Sequence, residues 1–388
     1  MSNDLPFIDW RTPSTGPMEY TFPPPDRDVF IATADPQSDS LFFSLPPEIR
    51  RAIYAEFWRV SGLRQHIVSV NDRDPVLPRE PAIPHDSEPH PQDSDMYFRG
   101  YIPPRIWAHV PCRTGPGEHD ERYAKFNAAT HHREKREWAS RLRSEWCGHW
   151  ACEESRAAQL LASGFPRLSH RPDLTFLPVL LTSKRMYLEC LPSLYSSLTF
   201  IFTDLTIAFD FLIRYTPTLP LRSLELHIRA TPLLTELYYP TPSASGPAPT
   251  VSAGPLSASH NPWARVCDLL ATQPALHSLR IWFDTRDLRP WAARVSETRL
   301  FAGLFAVRVV SQMSLFSNAS SVLGGRARFL LELPELPESG ESEGTAAVRR
   351  GLGPEHFLEG DEVLARAPFT VVRGARPDNW QVYHFWRQ

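Results

Sequence analysis

Thiol and imidazole side chains are concentrated in one part of this sequence, and thiolates and imidazoles are the groups that bind zinc. They occur at Cys112, His131, His132, Cys147, His149 and Cys152. Closed four-ligand zinc sites usually carry Cys-x-x-Cys pairs, and this sequence has none. On a single helix, positions 147, 149 and 152 would not share one face. We therefore expect buried thiols beside a polar histidine, with no metal and no cofactor.

A second candidate for chemistry is Glu189, a carboxylate close to Tyr187 in an otherwise apolar stretch. Such a group can act as a general base, but buried carboxylates more often accept hydrogen bonds from backbone or hydroxyl donors. The sequence also lacks a Gly-x-x-x-x-Gly-Lys loop, a Gly-x-Gly-x-x-Gly fingerprint and a His-Glu-x-x-His helix. We predict no catalytic residue, and an enzyme with an unrecognised active site is the alternative.

The composition of the chain favours an intracellular protein. A net charge of -3 gives no reason to expect nucleic acid or a membrane as a partner. Five irregularly spaced cysteines argue against a disulfide framework and favour a reducing compartment. The first residues show neither a basic start nor an apolar run, and no stretch is long enough for a transmembrane helix. We expect a cytoplasmic or nuclear location.

Residues 177–202 carry the clearest structural pattern. Leucines recur at helical spacing up to Leu191, and Pro192 suits the first position of a second short helix. Strand-forming residues at 198–202 then predict a buried strand. Near the start of the chain, Pro46 and Pro47 begin an amphipathic helix whose apolar stripe is Ile49, Ile53 and Phe57. These two segments are the elements that must hold any functional side chain.

The segment 119–163 predicts one long charged helix. Trp138, Leu142, Trp146 and Trp150 are spaced four apart, which would place them on a single ridge. The basic residues at 131–138 alternate with glutamates, so we predict a solvated helix face there rather than a phosphate site.

The order helix, short loop, strand recurs along the second half of the chain. This order predicts an α/β protein in which helices cover a mixed or parallel sheet built from irregular, leucine-rich-repeat-like units. The helix and strand pairs are 209–215 with 221–228, 266–270 with 276–283, 304–313 with 328–333, and 355–366 with 369–372.

Composition also predicts the domain organisation. Residues 1–40 are rich in Pro, Ser, Thr and Asp and are predicted to be a disordered tail. The α/β core is expected at 41–238, with an insertion at 71–173. A flexible linker at 239–262 then leads to a continuation of the α/β layer at 263–388.

Two motifs resemble a large family of uncharacterised fungal proteins with a domain of unknown function. The first is LPPEIRRAIY at 45–54, and the second is LLTSKRMYLECLPSLYSSLTF at 180–200. In that family the first motif is similar to the opening helix of an F-box and the second to the segment that follows it. The residues that match the second motif are Thr182, Tyr187, Glu189, Leu191, Pro192, Leu194, Tyr195 and Phe200.

The resemblance implies a non-catalytic scaffold for protein–protein interaction, with F-box-like features and the role of a ubiquitin-ligase substrate adaptor. In an F-box the opening turn and apolar stripe face a Skp-type adaptor, so Leu45, Pro46 and Ile49 are the contact candidates. An interruption of more than a hundred residues separates the two motifs here. For that reason we expect these three side chains to be buried inside the protein's own fold.

Overall fold

A computed structural model describes residues 32–70, 106–115, 120–162, 179–180, 182–215, 221–238, 261–285, 291, 295–310, 328–334, 357–358, 361–374 and 382. These residues confirm the predicted α/β class, since seven strands form one sheet and helices pack against it. The strands are β1 Arg64–Val70, β2 Ile106–Pro111, β3 Thr199–Phe202, β4 Ser223–Ala230, β5 Ser278–Thr285, β6 Arg328–Pro334 and β7 Thr370–Gly374.

The order of strands across the sheet is β2-β1-β3-β4-β5-β6-β7. Strand β2 is antiparallel to β1, and every other neighbouring pair is parallel. From β3 onward the spatial order equals the chain order. Such an order arises when each strand is followed by a crossover that returns the chain to the next position along the sheet.

Helices supply these crossovers and the N-terminal layer. The α-helices are α1 Leu41–Ser44, α2 Pro47–Ser61, α3 Arg122–Ala128, α4 His132–Leu142, α5 Trp150–Ala162, α6 Lys184–Ser197, α7 Leu205–Tyr215, α8 Pro232–Leu237, α9 Pro262–Ala271, α10 Glu297–Leu300 and α11 Asp361–Arg366. Short 3₁₀ helices span Cys147–His149 and Ala302–Ala306. No helix among the described residues is both long enough and apolar enough to cross a membrane.

The two faces of the sheet differ because side chains alternate along each strand. On β4, Leu224, Leu226 and Ile228 enter the main apolar core beneath the helices. The alternate positions Glu225 and His227 are on the opposite face and are also buried. The same alternation puts Leu279, Ile281 and Phe283 of β5 into the main core. A polar row on the second face is therefore built into the strand sequences.

The predicted helix and strand pairs are present with shifted ends. The first two pairs are α7 with β4 and α9 with β5, and their parallel strands are neighbours over a long register from Ser223↔Ser278 to Ala230↔Thr285. In the third pair, the helical part is the 3₁₀ segment Ala302–Ala306 before β6, and in the fourth it is α11 before β7. Residues 311–327 lie outside the described part of the chain.

Two local predictions are wrong. Helix α6 continues through Pro192, so no second helix begins there. The segment 119–163 is not one helix but α3, α4, a 3₁₀ turn and α5, because the backbone is extended at Ala129 and His131 between α3 and α4 and left-handed at Cys147, with a φ of 54°, between α4 and α5. Trp138 and Trp150 still meet, with ring centroids 5.6 Å apart. The predicted solvated face of α4 is confirmed, since Glu134 and its neighbours are exposed.

The predicted tail, insertion and linker fall partly on described residues. Residues 1–31 and 239–260 lie outside the described part, as do 71–105, 116–119 and 163–173 of the insertion. The rest of the insertion contributes β2 and the helices α3, α4 and α5. Its middle part therefore belongs to the folded structure, and β2 forms one edge of the sheet.

Removing residues 72–94 should leave the melting temperature within a few degrees of that of the unaltered chain. Val70 and Ile106 are paired neighbours in the antiparallel β1–β2 ladder, so the two strand ends that the shortened loop must connect are already adjacent. The deletion leaves about a dozen connecting residues, which is ample for a hairpin loop. Thermal unfolding followed by circular dichroism measures this. A larger loss would show that residues 72–94 contribute contacts to the fold.

Candidate functional site

The F-box-like motif forms the start of α2. Leu45 is half-buried, and Pro46 precedes Pro47 at the first helical position, where a missing N–H costs nothing. Glu48 lies in the first turn, where a negative charge is favourable. The helix ends at Gly62, whose φ of 89° is readily adopted only by glycine. These signals explain why the predicted helix forms where it does.

One side of α2 packs on α6, which carries the second motif. Trp58 is fully buried, and its indole Nε1 donates a hydrogen bond to Ser193 Oγ at 3.2 Å. Tyr54 Oη donates to Met186 Sδ at 3.3 Å. Burial raises the pKa of Tyr54 well above its usual value, with smaller contributions from Cys190 and Glu189. The two sequence motifs are thus two sides of one helix–helix interface.

An ion pair links the same two helices. Arg50 Nε lies 2.6 Å from Glu189 Oε1, and Arg50 Nη1 donates to the carbonyl oxygens of Phe43 and Leu45. Arg50 therefore holds the turn that precedes α2 while it neutralises Glu189. The carboxylate has the expected structural role, although its partner is a guanidinium rather than a backbone or hydroxyl donor.

The other side of α2 presents an apolar stripe to solvent. Ile49 is 49% exposed, Ile53 is 43% exposed and Val60 is 74% exposed. Pro46 is exposed as well, and Leu41 just before the helix is 87% exposed. The expectation that Leu45, Pro46 and Ile49 are buried is wrong for Pro46 and Ile49. The reason is that Arg50, Tyr54 and Trp58, rather than the predicted stripe, face α6.

The residues of the second motif serve the fold to different degrees. Leu194 and Phe200 are buried in the main core, and Tyr195 stacks on Phe200 with ring centroids 5.3 Å apart while remaining half-buried. Thr182 and Pro192 are exposed. The remaining motif residues are half-buried, and they are Tyr187, Glu189 and Leu191.

A second group of side chains meets on the opposite face of the sheet. His66 on β1, Cys112 after β2, His149 in the 3₁₀ turn and Cys152 on α5 each offer a ligand atom, and these atoms all lie within 4.8 Å of one another. Cys112 Sγ is 3.9 Å from Cys152 Sγ and 3.4 Å from His149 Nδ1. His66 is fully buried, and among the described residues neither of its ring nitrogens has a hydrogen-bond partner.

Polar residues of β1 and β4 surround this group. His149 Nε2 lies 3.1 Å from His227 Nε2, which is 3.4 Å from a carboxylate oxygen of Glu225. Arg64 pairs with the same carboxylate at 2.6 Å. Burial by itself raises the pKa of Glu225. Hydrogen bonds from His227 and Arg64 outweigh that effect and lower the pKa. Glu225 therefore stays ionised in a buried position.

Burial and neighbouring groups also shift the protonation of the cluster. Burial, reinforced by His227, lowers the pKa of His149 to about 3, which keeps the imidazole neutral. The hydrogen bond between the sulfurs of Cys112 and Cys152 lowers the pKa of Cys152, with further contributions from His149 and His66, and raises the pKa of Cys112. A neutral imidazole is the form in which histidine binds metals.

Sequence reasoning placed some members of this cluster correctly and missed others. Cys147 points away from it, with Sγ 3.5 Å from the carbonyl oxygen of His227, so positions 147, 149 and 152 do not share a face, as predicted. His131 and His132 are exposed. His66 was not anticipated, because it comes from a distant strand. The only sequence signal for His66 is its position in a strand with an alternating pattern, between other buried residues.

Comparison with known proteins gives a family but no activity. A search of curated proteins and a search of solved structures find no match to this chain. A family described as a domain of unknown function (DUF7730) matches residues 118–317. That range includes the second motif and the segment with His149 and Cys152, and it excludes the first motif. The match spans more than half of the chain, so the protein belongs to the DUF7730 family.

Proposed function

We propose that this protein is a scaffold for protein–protein interaction whose docking element is the exposed stripe of α2. The observation that carries the proposal is the exposure of Ile49 and Ile53 on a helix whose other side is fixed by Trp58. Exposed isoleucines arranged along one side of a rigid helix favour docking to an apolar surface of another protein. We take the partner to be a Skp-type adaptor of a ubiquitin ligase, because the stripe belongs to an F-box-like Leu-Pro-Pro-Glu-Ile-Arg motif.

The remainder of the fold suits a substrate adaptor. Four helix and strand units in spatial order extend the sheet away from α2, and we propose that they form an irregular, leucine-rich-repeat-like array. Arrays of this kind provide extended surfaces for a second partner. The resemblance of the two motifs to those of fungal proteins further suggests a fungal protein. The proposed partner, a Skp-type adaptor, is intracellular, which suggests a cytoplasmic or nuclear location.

Burial argues against the enzyme alternative. An active site needs titratable side chains that a substrate can reach. Among the described residues, the groups of His, Cys and carboxylate side chains whose ligand atoms lie close together all contain His149, and their histidines are buried, as is Cys152. A buried cluster of this kind has a structural role more readily than a catalytic one.

Titration of the purified full chain with a purified fungal Skp adaptor tests the proposal. We expect a dissociation constant in the micromolar range or tighter, which corresponds to about 8 kcal/mol of binding free energy. The double variant Pro46→Ala with Ile49→Asp should abolish binding without a change in melting temperature, because both side chains are exposed. Absence of binding by the unaltered chain, or equal binding by the variant, would contradict the proposal.

A further inference from the structure

We propose that His66, Cys112, His149 and Cys152 form a structural zinc site. Two thiolates and two imidazoles are a common ligand set for structural zinc, which is tetrahedral. All four ligand atoms already lie within 4.8 Å of one another. No member of the group belongs to the proposed docking stripe on α2, so the inference is independent of the proposed function.

Two of the distances between the ligand atoms match those expected for a tetrahedron around zinc. With zinc–sulfur bonds of about 2.3 Å and zinc–nitrogen bonds of about 2.0 Å, two sulfurs lie about 3.8 Å apart and a sulfur and a nitrogen about 3.5 Å apart. Cys112 Sγ is 3.9 Å from Cys152 Sγ and 3.4 Å from His149 Nδ1. The nitrogen of His149 that faces the sulfur is thus Nδ1.

His66 supplies a second, independent observation. The ring is fully buried, and among the described residues neither ring nitrogen has a hydrogen-bond partner. A buried polar group without a partner costs free energy. Coordination of a zinc ion by one nitrogen of His66 removes most of that cost, and two thiolates neutralise the charge of the ion.

Residues around the cluster fit the role of outer partners. Histidines that bind metals usually direct their other ring nitrogen to a carboxylate, a carbonyl or another polar group. Nε2 of His149 faces His227 Nε2 at 3.1 Å, and Glu225 lies behind His227. Arg64 holds the carboxylate of Glu225 in place. This arrangement fixes the orientation of the His149 ring.

The positions of the ligands indicate a structural ion rather than a catalytic one. A catalytic zinc keeps an open position for water, whereas four protein ligands close the site. The ligands come from β1, the end of β2, the 3₁₀ turn and α5. One ion would therefore fasten the helical part of the insertion to the sheet.

Metal analysis of the full chain tests the proposal. The protein is purified under reducing conditions without a metal-affinity step, exposed to excess zinc and desalted, and its metal is measured by mass spectrometry. We expect about one zinc per chain in the unaltered protein and less than about a tenth of that in the Cys112→Ser with Cys152→Ser variant. Cys147→Ser is the matched control, since its sulfur is buried in the same turn but points away, and it should keep its zinc.

Cobalt(II) bound to the unaltered chain gives a readout that does not depend on the folding of a variant. Two thiolates in a tetrahedral site produce intense visible absorption and a sulfur-to-metal charge-transfer band, both of which excess zinc should remove. Chelation should also make Cys112 and Cys152 react with a thiol reagent while Cys190 and Cys267, buried elsewhere, stay protected. A chain without bound zinc, a Cys112–Cys152 disulfide in the reduced preparation, or octahedral cobalt without thiolate bands would overturn the proposal.

Discussion

Replacement of Trp58 by alanine should lower the free energy of unfolding by about 4 kcal/mol, the range typical of a fully buried aromatic side chain. Trp58 is completely buried between α2 and α6, and its indole Nε1 donates to Ser193. Its ring also contacts Phe57 and Tyr54, at centroid distances of 5.3 Å and 6.4 Å. Loss of the ring leaves a cavity at the centre of the interface between the two motifs. Urea unfolding followed by fluorescence or circular dichroism measures the change.

Trp58→Phe is the control for this prediction. Phenylalanine keeps most of the apolar volume and loses the hydrogen bond to Ser193, so its cost should be well below that of alanine. A loss of less than about 1 kcal/mol for Trp58→Ala would mean that α2 does not pack on α6 as described. The exposed stripe of α2 would then have no fixed orientation.

Replacement of Glu297 by alanine should cost about 3 to 5 kcal/mol, because it removes one partner of a buried ion pair. Glu297 is completely buried, and its two carboxylate oxygens lie 2.9 Å and 2.7 Å from the guanidinium of Arg373. The same oxygens accept from Trp291 Nε1 at 2.8 Å and from the backbone N–H of Leu358 at 3.0 Å. Removal of the carboxylate leaves a cation and two buried donors without their acceptor.

Glu297→Gln separates charge from shape. The amide oxygen can still accept one of these bonds, but the ion pair with Arg373 is lost. We therefore expect Glu297→Gln to lower the free energy of unfolding, but by less than Glu297→Ala does. Thermal and urea unfolding of both variants show which of them is less stable. If alanine cost no more than a surface substitution, about half a kcal/mol, Glu297 would not bind Arg373 of β7 as described.

Local patterns in the sequence predicted the elements of the fold well. The alternation along β4 and β5 depends only on residues that are adjacent in sequence, and so does the proline start of α2. Neither signal needs a partner that is distant in sequence. Prediction failed where the backbone conformation of a few residues decides the outcome. Extended backbone at Ala129 and His131 and the left-handed φ of Cys147 divide the predicted long helix, and Gly148 is the one weak local signal for the second break.

The sites were harder to predict because their partners are distant in sequence. Arg50 and Glu189 are 139 positions apart, although both lie within motifs that the sequence singles out. Glu297 meets Arg373 across 76 positions, and no local pattern marks Glu297 as buried. For the metal-ligating cluster, spacing predicted only that positions 147, 149 and 152 would not all share one face of a helix. Only the pairing of β1 with β2 shows that His66 and Cys112 complete the set.

The central claim is that one side of α2 holds the fold while the other binds a partner. The most direct test compares the affinity of the Skp-type adaptor for the Ile53→Asp and Ala55→Asp variants of the full chain. Both residues are exposed on α2, and two positions separate their side chains by about 200° around the helix axis, so Ala55 lies outside the apolar stripe. The claim predicts binding weakened by roughly tenfold or more for Ile53→Asp, as for a hydrophobic contact at an interface core, and unchanged binding for Ala55→Asp. Equal affinities for the two variants, with both folded, would contradict it.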